Sequence, residues 1–340
     1  MRHMISEPQT FKIQSNQKKP ESRVVGFLTS RLFRIIISAG FLLYMFCKFD
    51  LGVIASNMVS ANLDYFVYAV LIFIASGVLG ALQWNIILGF HDINLKFSGT
   101  VSRYFMGLFF NFILPGFVGG DVIRIYKTAV VSGRATRAFS STLADRVFGL
   151  LVLVIFCFVA FVFMPIGPAY RALPAAIIMF FSLVGFLCIF VFKPAGRFIH
   201  RFFGRFIPHG IVEKLRAIYM EMHELIRSPF TLLSVIVLSF FIQFLRIAVH
   251  YLCGIAIGIE LGFSYFALFV PLMAIIASLP ISIGGFGVRE AFAVVLFSTV
   301  GIEEEIILSY AFLATFSAFI GSIPGGIAFA LSAGETRKFE

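Results

Sequence analysis

Charge is what this sequence has least of. Only 13% of its 340 residues are Asp, Glu, Lys or Arg, whereas soluble domains carry about 25%. Hydrophobic residues make up 60% and the mean hydropathy is +0.98, so the chain is read as an integral membrane protein. Cysteine is scarce and scattered: Cys47, Cys157, Cys188 and Cys253 all lie inside apolar segments without CxxC spacing, which excludes a disulfide framework or a zinc site. Acids are few as well. Loops such as 49–65 offer only isolated carboxylates (Asp50, Asp64) and no His-rich or paired-carboxylate constellation, so acid–base or metal chemistry is not indicated and no cofactor is expected.

The surplus of base, a net charge of +10, is spread between apolar runs rather than gathered into one patch with stacking aromatics. Membrane topology and contact with anionic lipid headgroups explain that distribution better than nucleic acid does. A bilayer core takes about 20 apolar helical residues, and full spans are predicted near 31–48, 66–90, 140–164, 172–194, 230–259 and 306–332. The apolar runs leave no room for an independent soluble domain. The expected layout is a disordered basic cytoplasmic tail over 1–30, one membrane domain over 31–332 and a short cytoplasmic tail over 333–340.

Two apolar stretches break the spanning pattern. Residues 104–118 are short and end in Pro115-Gly116, and residues 265–300 are long but interrupted by Pro280 and Gly284-Gly285. The Lys and Arg counts decide how they sit, because short cytoplasmic loops retain these residues. Residues 1–34 hold seven, 91–139 six, 193–228 seven and 333–340 two, while 49–65 holds none. A full crossing by 104–118 would move the seven bases of 193–228 outside, so this segment is predicted to re-enter from the cytoplasmic side. By the same parity 265–300 enters from the opposite face. The fold class is therefore an all-α polytopic membrane protein with about six full spans and two re-entrant or broken helices in an inverted-repeat-like arrangement. Within 204–227, Ile211, Leu215, Ile218, Met222 and Leu225 recur at helical spacing among charged residues, which predicts an amphipathic helix on the cytoplasmic surface.

The two breaks carry the same motif. "LPGFVGGDVIR" at 114–124 aligns without gaps on "LPISIGGFGVR" at 279–289, placing Pro115 over Pro280, Gly119-Gly120 over Gly284-Gly285 and Arg124 over Arg289. Discontinuous helices in repeats of opposed topology recur in transporters, where irregular backbone lines a wet cavity. The glycines let the backbone turn towards a ligand, the following helix N-termini favour negative charge, and the arginines add bidentate donors for phosphate. Asp121 fits that picture less well, since a carboxylate at the helix start caps the same N–H groups; it either meets a cationic part of the substrate or holds Arg124. The competing reading is plain packing, with glycines at tight breaks and arginines at the interface. The repetition favours the functional one.

Further ionisable groups lie inside apolar runs, where they are costly and commonly functional or paired. They are Asp145 and Arg146 in "TLADRVFGL", Arg246 and His250 four apart on one helical face, and Glu290 beside Arg289. Gln83, Trp84 and Asn85 read as polar glue between helices, and the Gly-Gly of "SIPGGIAF" reads as a kink or close packing in the last span.

Taken in order, "LPGFVGGDVIR", "ADRVFGL" and "LPISIGGFGVREA" resemble the flippase-like membrane region of lysylphosphatidylglycerol synthases and its stand-alone relatives. The resemblance covers nearly the whole chain after the tail and implies a stand-alone member without the aminoacyltransferase domain, in a bacterial or archaeal inner membrane. It implies a lipid translocator rather than an enzyme, with a phospholipid or other polar lipid as substrate. The family motif positions are Gly119, Gly120, Asp121, Arg124, Asp145, Arg146, Gly284, Gly285, Gly287, Arg289 and Glu290; with Arg246 and His250 these form the candidate substrate site. A small-anion transporter and a membrane enzyme acting on lipid-linked substrates are the alternatives.

Overall fold

Long apolar runs bounded by capping residues dictate the frame. A computed structural model describes residues 51–114, 119–163, 209–278 and 287–332. The expected tails, the spans at 31–48 and 172–194, Cys47, Cys188, Pro115, Pro280 and the Gly284-Gly285 pair lie outside the described residues.

Ten α-helices are described: α1 Leu51–Val59, α2 Leu63–Phe90, α3 Phe97–Ile113, α4 Gly119–Ser132, α5 Ala135–Phe163, α6 His209–Arg227, α7 Pro229–Ile257, α8 Phe263–Ser278, α9 Val288–Phe297 and α10 Glu304–Ser332. Among the described residues there is no strand. Helices α2, α5, α7 and α10 have 28 or 29 residues each. At 1.5 Å per residue that is about 42 Å, more than the hydrocarbon core requires, and all four are apolar enough to cross a membrane. Their ends are written locally. Asn62 caps α2 by accepting the N–H groups of Asp64 and Tyr65, Pro229 opens α7, and Gly258 closes α7 in the left-handed conformation at φ 91°, where glycine carries no steric penalty. The segment 49–65, read above as a loop, contains α1 instead. Ile54 of α1 buries against Leu308 of α10.

The two interrupted segments form hairpins that start from opposite ends of the bundle. Helix α3 follows Asp92, and α4 leads back to Arg134, whose guanidinium donates to the Asp92 carbonyl at 2.8 Å. Helix α8 follows the end of α7, and α9 leads through a short 3-10 turn to the start of α10. At that second end, α1, α7 and α10 are tied together: the Asn62 N–H donates to the Ala256 carbonyl and the Asn57 amide to Ser309 Oγ. The aromatic rings of Phe266, Phe269, Phe297 and Tyr310 bind α8, α9 and α10 into the largest apolar core.

Helix α3 lies unusually close to α10. A Cβ placed on Gly325 would overlap the Phe105 carbonyl oxygen, and one on Gly326 would press on the Phe109 ring at 2.8 Å. The third glycine pair therefore serves close packing. At the first end, α6 docks through charge as well as apolar contact. Met222 and Leu225 are buried, Glu221 pairs with His91 and with Arg137, and Arg137 pairs with Asp92 at 2.7 Å.

Two predictions concern this frame. Gly325→Ala should lower stability by about 1–3 kcal/mol, as overpacking does, whereas Gly89→Ala, facing open space in the last turn of α2, should be neutral or stabilising by up to about 1 kcal/mol; thermal unfolding in detergent compares them. The second concerns acid. Burial holds the His91 pKa below its ordinary value against the opposing pull of Glu221, and its Nε2 is buried without a partner. A depressed histidine stabilises the folded state above its unfolded pKa of about 6.5 and loses that contribution as pH falls below it. Hydrogen-exchange protection factors in residues 218–227, corrected for the slower intrinsic exchange in acid, should fall as pH drops from 7 to 5, and His91→Gln should flatten that dependence.

Candidate functional site

Sequence neighbours on a helix point about 100° apart, so adjacent opposite charges can turn to different partners. Asp145 and Arg146 of α5 illustrate this. Asp145 turns to Arg124 of α4, whose Nη1 donates to its Oδ2 at 2.9 Å. Arg146 turns to Asp121 of α4, with Nε donating to Oδ2 at 2.7 Å. Asp121 also meets Arg124 at 3.3 Å, one turn apart on the same helix. Arg124 thus lies between two aspartates, and its guanidinium stands over the rings of Trp84 at 4.6 Å and Tyr104 at 5.0 Å. Gln83 extends the array: its amide donates to Asp145 Oδ1 and its carbonyl accepts from Ser239 of α7. Asp121, Arg124 and Asp145 are all at least nine-tenths buried, and their opposite charges offset one another there, while Arg124 Nε and Nη2 are buried without a hydrogen-bond partner among the described residues.

The second motif builds a smaller array at the start of α9. Gly287 caps the helix with φ at 80°, a conformation suited to glycine, and its N–H donates to Glu290 Oε2 at 2.7 Å. Arg289 donates to Thr315 Oγ1 of α10 at 2.6 Å and pairs with Glu290 at 3.3 Å. On α7, His250 shares a hydrogen bond with the Tyr310 hydroxyl at 2.9 Å, and Arg246 reaches the Tyr104 hydroxyl at 3.4 Å.

Both arrays face one cavity of about 240 Å³. Asp121, Arg124, Asp145, Arg146, Arg246, His250 and Arg289 line it, and Leu153, Ile242, Val270 and Met273 supply apolar wall. The structure therefore brings together, from α4, α5, α7 and α9, every ionisable side chain singled out above except Glu290. Glu290 is fully buried and caps its own helix.

Gly120 has a packing role. Gly119, Gly120 and Gly287 are not among the residues that line the cavity. A Cβ on Gly120 would overlap the Gly107 carbonyl, and its N–H already donates to Asn111 Oδ1 at 3.0 Å. Close approach of α4 to α3 is what Gly120 provides. At Gly287 too, the N–H is taken by the protein's own side chain, that of Glu290.

Several site residues escaped the sequence reading. Gln83 and Trp84 were seen only as helix glue, and both support Arg124. Tyr104, Asn111, Ser239, Tyr310 and Thr315 carried no signal, being single polar groups on apolar helices. Among the described residues no cluster of His, Cys, Asp and Glu is arranged to hold a metal.

Long apolar helices around a charged internal cavity define a multi-pass α-helical membrane protein. The chain belongs to the family of the lysylphosphatidylglycerol synthase transmembrane region, whose model matches residues 31–325. It is 25% identical to a UPF0104 membrane protein of Pyrococcus horikoshii over 293 residues, covering 79% of this chain and 88% of the relative. It is 24% identical to a UPF0104 membrane protein of Methanothermobacter thermautotrophicus over 266 residues, covering 72% and 76%.

The paired array makes a stability prediction. Arg124→Gln leaves two buried aspartates short of a partner and should cost about 3–5 kcal/mol. Adding Asp145→Asn should restore part of that loss, giving a coupling of about 1–3 kcal/mol in a double-mutant cycle read by unfolding in detergent.

Proposed function

We propose that this protein is a lipid translocator, moving the polar headgroup of a lipid between leaflets through the charged cavity while the acyl chains stay in the bilayer. One observation carries the reading: two interrupted hairpins that start from opposite ends of the bundle deliver Arg124 and Arg289 to the same internal cavity. Broken helices that meet at a site inside the membrane are how transporters place charge where a substrate crosses. The mixed wall supports it further, because charged side chains and apolar ones share one cavity, suited to a molecule with both characters. Family membership is in keeping with this role. The protein then acts by binding and conformational change rather than by chemistry, in a cell membrane, with α6 and both chain ends on the cytoplasmic side, where the basic loops gather.

Reconstitution in liposomes with fluorescent anionic, zwitterionic and aminoacylated phospholipids tests this reading. Exchange between leaflets should exceed that of empty liposomes and fall at least tenfold in Arg289→Ala, provided the variant unfolds at the same temperature as the native protein. Native protein that exchanges none of these lipids overturns the proposal.

A further inference from the structure

The charges around the cavity do not cancel. Asp121 and Asp145 are matched by Arg124 and Arg146, and Glu290 is matched by Arg289. Arg246 is left over. Its guanidinium lines the cavity, its contact is with the neutral Tyr104 hydroxyl, and among the described residues it has no carboxylate partner. The rest of the sequence offers few. Residues 115–118, between α3 and α4, and 279–286, between α8 and α9, contain no charged residue, and the apolar runs 32–47 and 172–192 contain no acid. Outside the described residues the acids are Glu7, Glu21, Glu335 and Glu340 in the polar ends of the sequence and Asp50, which directly precedes Leu51.

The position of this cation is costly. Arg246 lies 17 residues from the start of α7 and 11 from its end, about 25 Å and 17 Å along the axis, well inside a membrane-crossing helix. An isolated charge at such depth needs a counter-ion. His250, one turn further along the same face, is committed to Tyr310 and supplies no negative charge. What is missing is one unit of negative charge, held in a group that a guanidinium can grip with two parallel hydrogen bonds.

We propose that Arg246 is the residue that binds the substrate, and that its ligand is a phosphodiester carrying one net negative charge with no amine in the headgroup. This rests on the translocator reading and narrows it. A phosphomonoester would bring a second negative charge with no cation left for it. A zwitterionic or cationic headgroup would bring an amine, and the three carboxylates that could receive it are already engaged by arginines. Arg124 is on this account a positioning residue that holds α4 to α5, and Arg246 is the specificity-determining one.

The test uses the full chain in detergent, measuring the rise in unfolding temperature with dioctanoyl phosphatidylglycerol, dioctanoyl phosphatidylcholine, a short-chain lysyl-phosphatidylglycerol and inorganic phosphate. The expected result is saturable stabilisation by phosphatidylglycerol, with the half-saturating concentration raised at least tenfold in Arg246→Gln and less in Arg246→Lys, which keeps the charge but not the fork. Without ligand, Arg246→Gln should unfold at the same temperature as the native protein or higher, because an unmatched charge has been removed; a merely structural arginine would lower it. If Arg246→Gln does not fold, its charge is structural and the proposal falls. Stronger stabilisation by the zwitterionic or cationic lipid also overturns it while leaving translocation standing. Stabilisation by inorganic phosphate alone, lost in Arg246→Gln, keeps Arg246 as the anion ligand but overturns the lipid as its source and translocation with it. Equal phosphatidylglycerol binding in native and Arg246→Gln protein overturns the assignment outright.

Discussion

A guanidinium held between two carboxylates in a membrane interior is the constraint on which the rest of this structure depends. Arg124 cannot be bare at that depth, and neither Asp121 nor Asp145 can stay ionised alone. Once the three are together, α4 is fixed against α5, and Arg146 and Gln83 are drawn in to satisfy the remaining oxygens. Trp84 and Tyr104 then cover the guanidinium faces, which ties α2 and α3 to the same point. Charge, usually the enemy of membrane burial, here sets the positions of four helices.

That constraint explains why α4 is short. Its role is to bring Asp121 and Arg124 to mid-bundle, and the glycines at its start let it lie against α3 without a side chain between them. The α9 hairpin solves the same problem from the other end with different chemistry. Its acid follows the arginine directly and caps the helix, where the acid of α4 precedes its arginine by three residues and reaches out to α5. The two motifs share spacing but not wiring.

The sequence was informative where chemistry conflicts with solvent. Ionisable residues inside apolar runs stand out because little else could justify them, and Arg124, Asp145, Arg246 and Arg289 were legible for that reason. The four long helices were legible too, since a run of more than twenty apolar residues has few other fates. Pairing was not legible. Asp145 and Arg146 are adjacent and invite a mutual bond, yet helical geometry sends them to different partners. Tyr104, Thr315 and Ser239 were invisible because one hydroxyl on an apolar helix carries no periodic signal. The glycine motif was read for its freedom near a ligand, when at Gly120 the ligand-like neighbour is the protein's own backbone. Helix α1 carries no sequence signal of its own because Asp50 and Asp64 flank it and give 49–65 the composition of a loop.

The contact of Gly325 with the Phe105 backbone has a mechanical meaning. At Gly325 the main chains of α3 and α10 touch, and on either side of that point Phe109, Phe110 and Phe112 of α3 interlock with Phe319 and Phe329 of α10, so sliding one helix along the other would have to break both backbone and ring contacts. With α4 bound to α3 and to α5 through charge, most of the first hairpin belongs to a stiff block. Helix α9 has no such backbone contact among the described residues and meets its neighbours through side-chain bonds and aromatic faces.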